Sequence, residues 1–235
     1  MYKLSFIIAT IFLFAFTIIP KKENNKGKKL KLWATFYYIP VVNHDSLGID
    51  ILDKQEEKTG YKLSQCDWCS AAIEGTVLII KDSTQQLFNY ASRSKTMLTD
   101  CRECKRFKNF SGYKATRQVL WVKTEGFGLG VKNFKLCPFK TIAVDKTVIP
   151  IGSIVYIPKA KGVKYIDHNN QEQIHDGYFL AADVGGAIKG NHIDVFIGTA
   201  KVNPFDFIKS NNKGFFDAFV IEDDEKKNEL IKIHS

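Results

Sequence analysis

The chain has 235 residues, 45% of them apolar, and a formal net charge of +9. This apolar fraction is typical of a folded protein, so the composition excludes a disordered chain. Lys3 and residues 21–31, which hold six lysines and one glutamate, account for +6 of the charge, and the remaining +3 is too small for a dedicated nucleic-acid binder.

The N-terminal residues form an export segment. A mostly apolar run over residues 4–19 is stopped by Pro20, and the basic residues 21–31 follow it. The pattern is typical of a secretory signal, although the run is slightly shorter than the about 20 residues of a membrane span. We expect residues 1–20 to be a signal peptide or membrane anchor and 21–31 a basic linker. The protein is then exported to the periplasm or cell envelope, and it contacts a membrane only through this segment.

The middle of the chain mixes strands with irregular stretches. The polar residues 41–63 have weak periodicity and predict a long loop, and residues 92–115 predict an irregular region. Residues 65–73 predict one or two helical turns. Aromatic and β-branched runs predict strands, which cover residues 32–40, 74–81, 86–91 and 117–123.

Four cysteines form two CxxC pairs, and a fifth stands alone. Cys66 and Cys69 make the first pair, and Cys101 and Cys104 make the second. Four thiolates can complete a zinc site. In an exported protein disulfides are the favoured alternative, with three pairings open. Both interpretations are structural, and Cys137 is expected to be a buried thiol.

The second half of the chain predicts short strands joined by tight turns. The glycine-rich residues 124–130 precede no amphipathic helix, which excludes a dinucleotide-binding loop. From residue 141 onwards short apolar runs alternate with turns, and this spacing favours an all-β barrel or sandwich. The last predicted strand is 215–221, and residues 226–235 are expected to be a charged, frayed tail.

Three aspartates follow or interrupt these strands, namely Asp145, Asp183 and Asp194. An aspartate after a strand often caps a turn, and for Asp145 capping is as good an explanation as catalysis. Asp194 differs because it lies inside the run HIDVF. Alternation places it opposite the apolar residues of that strand, so it faces outwards if those residues form the core.

The stretches TIAVDKTVIPIGSIVYIP and DGYFLAADVGGAIKGNHIDVFIG resemble the three-aspartate (3D) domain, which is shared with the membrane-bound lytic transglycosylase A family. The resemblance is strong over residues 141–198. The segment ATFYYIP is similar to the first barrel strand of that family, and WCSAAIEGT is similar to exported 3D-domain proteins of Gram-negative bacteria.

The resemblance implies a mainly β fold, a six-stranded double-psi β-barrel over residues 32–225, with a small, loop-rich, Cys-rich insertion at about 41–135. It also implies cleavage of peptidoglycan glycan strands by a lytic transglycosylase, without metal or cofactor. A larger second domain forms the other wall of the substrate groove in that family, and the small insertion here could replace it.

The resemblance assigns roles to single residues. Asp194 matches the catalytic acid, and Asp183 matches the aspartate beside it. The candidate substrate-binding residues are Asp145, Thr35, Tyr37, Gly185, Gly186, Lys189 and His192. An exposed loop lysine is the more common explanation for Lys189, and a solvated strand-end histidine explains His192 as well as substrate contact does. Gly185, Gly186 and Gly190 are expected to allow positive φ angles.

Two other functions remain open. A non-catalytic, wall-loosening module on the same barrel, as in expansin-like proteins, would bind glycan without cleaving it. A zinc-ribbon interaction protein would explain the CxxC pairs but not the aspartates.

Overall fold

β-Strands are the main regular structure in the computed structural model, which describes residues 27–110, 112–200 and 202–235. The predicted signal or anchor and residues 21–26 of the predicted linker lie outside these ranges. The strands are β1 (Gly27–Tyr37), β2 (Val41–Asn43), β3 (Ile49–Leu52), β4 (Lys58–Leu63), β5 (Thr76–Lys81), β6 (Thr84–Arg93), β7 (Val119–Thr124), β8 (Thr141–Val144), β9 (Ile154–Tyr156), β10 (Lys164–Ile166), β11 (Glu172–Ile174), β12 (Tyr178–Asp183), β13 (His192–Phe196) and β14 (Phe216–Ile221). The α-helices are α1 (Gln65–Glu74), α2 (Tyr113–Thr116) and α3 (Asp224–Ile233).

Six strands form a ring in which each is hydrogen-bonded to two others. The order is β1-β13-β8-β12-β9-β14, and β14 pairs with β1 to close the barrel. The pairs β1–β13 and β8–β12 are parallel, and the other four pairs are antiparallel. Ile193, Val195 and Ile197 are buried in the barrel core, so the alternation predicted for this strand is confirmed.

Strand β1 begins earlier than predicted, so the interpretation of residues 27–31 as linker is wrong. Its first half pairs with β14 and its second half with β13. Two linker lysines are held by one carboxylate of β14, since Lys29 and Lys31 lie 3.1 and 2.7 Å from Asp217. Backbone pairing with β14 and these two ion pairs therefore hold residues 27–31 as part of the strand, although their composition alone suggests a linker.

Strands β2 to β7 form a second unit between barrel strands. Its main sheet has the order β2-β5-β6-β7, and β3 and β4 pair as a separate two-stranded sheet. The prediction of a loop over 41–63 is wrong, because β2 adds to the edge of β5 and β3 pairs with β4. Apolar and polar residues alternate only weakly in 41–63, and pairing with neighbouring strands stabilises these strands instead.

Helix α1 and the two disulfides fasten this unit. The side chain of Ser64 caps the helix by accepting from the backbone N–H of Asp67, and Gly75 ends it with φ of 80°. Disulfides join Cys66 to Cys104 and Cys69 to Cys101, so each bond links one CxxC pair to the other.

Cys137 is a free, half-buried thiol, and burial raises its pKa. Cys137 therefore takes part in neither disulfide.

The C-terminal residues form a helix instead of a frayed tail. Asp223 caps α3, Leu230 is 1% exposed, and His234 is fully buried. The Nε2 atom of His234 lies 2.9 Å from the Thr141 hydroxyl, at the start of barrel strand β8. Contacts distant in sequence therefore order this charged segment. None of the helices in the described ranges has the length and hydropathy that a membrane span requires.

Candidate active site

The strand order brings two aspartates to either side of one barrel strand. In β8, Ala143 pairs with Asp183 of β12 and also with Asp194 of β13. The Ala143 side chain is buried with Tyr37 in the apolar cluster that joins the barrel to the second sheet. A small side chain between the two carboxyls leaves them in one site.

Asp194 is hydrogen-bonded by the neighbouring strand β1. Thr35 lies opposite it in register, and the Thr35 hydroxyl donates to Oδ1 of Asp194 over 2.6 Å. The same hydroxyl lies 2.9 Å from Nε2 of His192. Trp33 stacks on this imidazole with ring centroids 3.6 Å apart, which fixes the ring plane.

The Thr35 hydroxyl has one proton and two partners. When Asp194 is a carboxylate, this proton is donated to Asp194, and His192 donates to Thr35 only in the tautomer that carries its proton on Nε2. When Asp194 is protonated, its own O–H can donate to Thr35, and Thr35 can donate to His192. Thr35 is thus hydrogen-bonded to Asp194 in both protonation states. Burial lowers the pKa of His192, which favours the neutral ring.

Asp183 is held by a tyrosine and by the backbone. The Tyr37 hydroxyl donates to Oδ2 over 2.8 Å, and the N–H of Val184 donates to Oδ1 over 2.8 Å. Tyr37 is a predicted substrate-binding residue, but the structure buries it under the site, where its hydroxyl is used by Asp183.

Burial is the main influence on the protonation of both aspartates. It raises the pKa of Asp194 to about 7, with a smaller increase from the charge of Asp183 and a decrease from the Thr35 hydrogen bond. Burial raises the pKa of Asp183 to about 6, against the hydrogen bonds from Tyr37 and Val184. Asp194 therefore keeps its proton up to near-neutral pH, as a general acid must.

Asp145 accepts hydrogen bonds from the surrounding loops. Its Oδ2 accepts from the N–H of Gly190 over 2.8 Å, and its Oδ1 accepts from the backbone and hydroxyl of Thr147. These bonds, led by that from Gly190, lower its pKa to about 2. The carboxylate fastens the loop after β12 to the turn after β8, as the capping interpretation expects.

The loop between β12 and β13 carries the other predicted residues. Lys189 is exposed, whereas His192 is buried rather than solvated. Of the three glycines expected to need positive φ, only Gly190 has it, at 61°. Gly185 is small for another reason, since a Cβ there would lie 2.6 Å from Ile188, and Gly186 has open space.

One carboxyl near the site was missed by the sequence analysis. Glu74, the last residue of α1, accepts a hydrogen bond from the N–H of Tyr38 over 3.2 Å. Its pKa is raised to about 7, chiefly by burial, with a smaller increase from the charge of Asp194 and against the hydrogen bond from Tyr38. Arg106 lies nearby, and its guanidinium donates to the Tyr38 hydroxyl over 3.2 Å. The segment WCSAAIEGT offers no periodicity that would place Glu74 beside Asp194.

Comparison with known proteins finds a family model that matches the segment with the three aspartates. Residues 140–203 match the family model described as the 3D domain. This segment is therefore similar to the 3D domain. This segment holds all three aspartates that the sequence analysis singled out and ends just after β13.

Two relatives match parts of the chain. The cell wall-binding protein YocH of Bacillus subtilis is 47% identical over 60 residues, which is 25% of this chain and 15% of YocH. A membrane-bound lytic murein transglycosylase A homolog of Buchnera aphidicola is 43% identical over 61 residues, 24% of this chain and 15% of the homolog. The chain therefore spans only a small part of each relative.

A solved structure shares the fold over a longer range. The crystal structure of E. coli MltA with bound chitohexaose matches with a TM-score of 0.51 and 17% identity. The match covers 82% of this chain and 72% of the MltA chain, so it includes both the barrel and part of the second unit. At this identity the similarity establishes a mainly β, MltA-like fold.

Proposed function

We propose that the protein is a lytic transglycosylase that cleaves the β-1,4 bond between N-acetylmuramic acid and N-acetylglucosamine in peptidoglycan. The observation that carries the proposal is the half-buried Asp194, whose pKa is raised to about 7 beside a second carboxyl. The 3D-domain match and the transglycosylase name of the Buchnera relative support the choice of substrate. The chitohexaose bound to MltA supports binding of a glycan chain by this fold.

In the proposed reaction Asp194 acts first as an acid and then as a base. Its carboxyl proton passes to the glycosidic oxygen as the bond from that oxygen to the muramyl anomeric carbon breaks. Positive charge develops at the anomeric carbon, as in other glycosidic cleavages. The C6 hydroxyl of the same sugar then attacks this carbon and gives its proton to the Asp194 carboxylate. The products are a 1,6-anhydromuramyl end and a free 4-hydroxyl.

The neighbouring groups serve the two states of Asp194. The Thr35 hydroxyl donates to the carboxylate that forms after proton transfer, and such a donor stabilises charge as it develops. Asp183 raises the pKa of Asp194 through its charge and is itself held by Tyr37. Asp145 positions the loop that carries Lys189, and Lys189 and Gly186 face solvent where substrate would approach.

We also propose that the barrel is of the double-psi type and that residues 1–20 direct export to the cell envelope. The two parallel strand pairs among six support the first proposal. The two disulfides, which are typical of exported proteins, support the second.

The test is the digestion of purified peptidoglycan sacculi, with mass spectrometry of the released fragments. We expect 1,6-anhydromuropeptides from the wild-type protein and at least a 1,000-fold lower rate from Asp194→Asn, on the order of magnitude expected for loss of an essential acid. Asp217→Asn is the matched control, because this half-buried barrel aspartate pairs with two lysines, and it should retain the wild-type rate.

Each other outcome has a definite meaning. Fragments with ordinary reducing ends would show hydrolysis instead. Binding of sacculi without any release would favour the wall-binding alternative, to which the name of YocH also points. Substantial cleavage by folded Asp194→Asn would reject Asp194 as the acid.

A further inference from the structure

Four side chains form one patch on two paired barrel strands. In the parallel register of β1 and β13, Trp33 lies opposite His192 and Thr35 lies opposite Asp194. The residues that alternate with them along both strands are buried in the barrel core, so these four side chains lie on its outer face. The Thr35 hydroxyl contacts both His192 and Asp194, and it thereby links the histidine to the candidate acid.

The ring of His192 has little surface left for a substrate. Its Nε2 atom lies 2.9 Å from the Thr35 hydroxyl, and Trp33 covers one face with the two ring planes 6° apart. The ring also donates an N–H to the backbone carbonyl of Ala187, and the residue is only 8% exposed. The structure therefore favours a role that acts through Thr35 over the substrate contact predicted from the sequence.

The bond to Ala187 sets the direction of the hydrogen bonds in the patch. Because Nε2 faces Thr35, the proton given to the Ala187 carbonyl is on Nδ1, and a neutral ring has no second proton for Nε2. Nε2 of His192 is then an acceptor and takes the proton of the Thr35 hydroxyl. The Thr35 oxygen can in turn accept from Asp194, whose Oδ1 lies 2.6 Å away, when Asp194 is protonated.

The charge state of His192 fits this direction. Burial lowers the pKa of His192 and outweighs the bond to Ala187, so the ring is neutral at neutral pH. A protonated ring would donate from both nitrogens, and the Thr35 proton would then be directed to Asp194. The neutral ring leaves the opposite direction open.

Other ionisable groups reach Asp194 from the surrounding elements. Asp183 of β12 raises its pKa through charge, and Glu74 at the end of α1 is affected by the charge of Asp194. Tyr37 of β1 is neutral, since burial raises its pKa well above the usual value, and Lys189 is exposed in the adjacent loop. These groups are the same in the wild type and in variants of the histidine, so a difference between those proteins reports the histidine itself.

On the basis of the proposed function, we propose that His192 is a positioning residue whose Nε2 accepts the Thr35 proton, so that Thr35 accepts and holds the acid proton of Asp194. The ring does not touch the substrate in this role and keeps its own proton. After proton transfer the Thr35 hydroxyl turns to the Asp194 carboxylate. His192 thus reduces, without removing, the preference of Thr35 for the charged form of the acid.

The first test determines which nitrogen of His192 carries the proton. Long-range ¹H–¹⁵N spectra of protein labelled with ¹⁵N-histidine distinguish the two neutral tautomers, because protonated and bare ring nitrogens have different chemical shifts. At pH 6.5, where Asp194 mostly keeps its proton, we expect the His192 proton on Nδ1. A proton on Nε2 would overturn the proposal, since the ring would then donate to Thr35.

The second test removes the acceptor. His192→Phe keeps a ring to stack on Trp33 but lacks Nε2, so the Thr35 proton is directed to Asp194. The titration midpoint of Asp194, followed by nuclear magnetic resonance of ¹³C-labelled carboxyl carbons, should fall by about half to one pH unit. His192→Gln offers an amide oxygen as acceptor and should restore most of the midpoint. His168→Phe is the matched control, because His168 is an exposed loop histidine, and an unchanged or raised midpoint in His192→Phe would overturn the proposal.

The pH profile of sacculus cleavage connects this role to the reaction. The alkaline limb of His192→Phe should move down with the Asp194 midpoint, which is about a three- to tenfold lower rate at pH 8. The apparent KM should not change. A higher KM with an unmoved limb would indicate substrate contact and overturn the proposal. Shifted midpoints in a protein that releases no anhydro products would leave the hydrogen-bond role of His192 intact and reject the transglycosylase.

Thermal unfolding of the same samples separates positioning from structure. A lower thermal midpoint of His192→Phe with an unchanged Asp194 titration would show that the histidine is only a structural residue. If His192→Phe does not fold, the tautomer of the wild-type protein decides the proposal.

Discussion

The hydroxyl of one residue, Thr35 of β1, joins this strand to two candidate site residues of β13. It donates to Asp194 and contacts His192, whose ring is fixed by stacking on Trp33. A carboxylate that accepts such a bond has a lower pKa than one that does not. The hydroxyl therefore opposes the effect of burial on Asp194, and it limits how strongly the acid holds its proton.

Substitution of this hydroxyl should separate its two effects. In Thr35→Val the pKa of Asp194 should rise, because a hydrogen bond that favours the charged form is lost. The alkaline limb of the activity profile should therefore move to higher pH. At the same time kcat should fall about tenfold, since about 1–1.5 kcal/mol of stabilisation of the developing carboxylate is removed.

The measurement is the rate of anhydromuropeptide release from pH 5 to 9. Thr35→Ser keeps the hydroxyl and should retain both the limb and most of the rate. If Thr35→Val moved the limb to lower pH, the hydrogen bond would be acting mainly on the protonated acid instead.

Helix α3 shows how one buried side chain can order a charged element. Leu230 packs among buried residues of β9, β12 and β14, whereas Ile233 is 45% exposed. We expect Leu230→Ala to lower the free energy of unfolding by about 2–4 kcal/mol, the range for a buried leucine.

Ile233→Ala on the same helix should cost less than about 1 kcal/mol, since its side chain is half in solvent. Urea denaturation of both variants checks the pair. Equal, small losses would mean that α3 does not contribute to the stability of the barrel.

The elements that could be predicted from the sequence are those whose signals are local. The run HIDVF predicts its own core face, because side chains alternate along a strand whatever the strand pairs with. The apolar run of β5 is equally local. Asp183 and Asp194 could be singled out for the same reason, since a charge beside a buried apolar run is unusual.

Other features depend on partners far along the chain. The extension of β1 to Gly27 needs β14, and the order of α3 needs the barrel wall around Leu230. Glu74 becomes part of the site only because the second unit returns its helix end to Tyr38. No pattern within a few residues contains that information, so these parts of the fold and of the site escape sequence analysis.

For the whole molecule, the buried carboxyls link folding stability to pH. The pKa of Asp194 is about 7 in the folded protein against an ordinary value of 3.8, so the folded state holds a proton that the unfolded state releases in this interval. The free energy of unfolding must therefore fall as pH rises from about 4 to about 7. Asp183 and Glu74 act in the same direction, with folded pKa values of about 6 and about 7.

Three buried histidines, His175, His192 and His234, act in the opposite direction over part of this range. Burial lowers the pKa of His175 from 6.5 to about 4, so the unfolded state binds the extra proton between these values. Its contribution to stability increases as pH rises to about 6.5 and is constant above that. Near pH 7 the carboxyls consequently dominate this balance.

The comparison of Asp194→Asn with the wild type should isolate the largest of these effects. At pH 4 both side chains are neutral, and their free energies of unfolding should be close. By pH 8 the wild type carries a buried carboxylate and the variant does not, so the variant should be more stable by an amount on the order of 2–4 kcal/mol.

Urea denaturation at pH 4, 6 and 8 measures this difference, and an unchanged m-value confirms that the same structure unfolds. Asp217→Asn should show no such gain, because two lysines lower the pKa of Asp217 in the folded protein. A stability difference that stays flat from pH 4 to 8 would mean that Asp194 is ionised throughout. An ionised Asp194 has no proton to give, so the same experiment also bears on the proposed reaction.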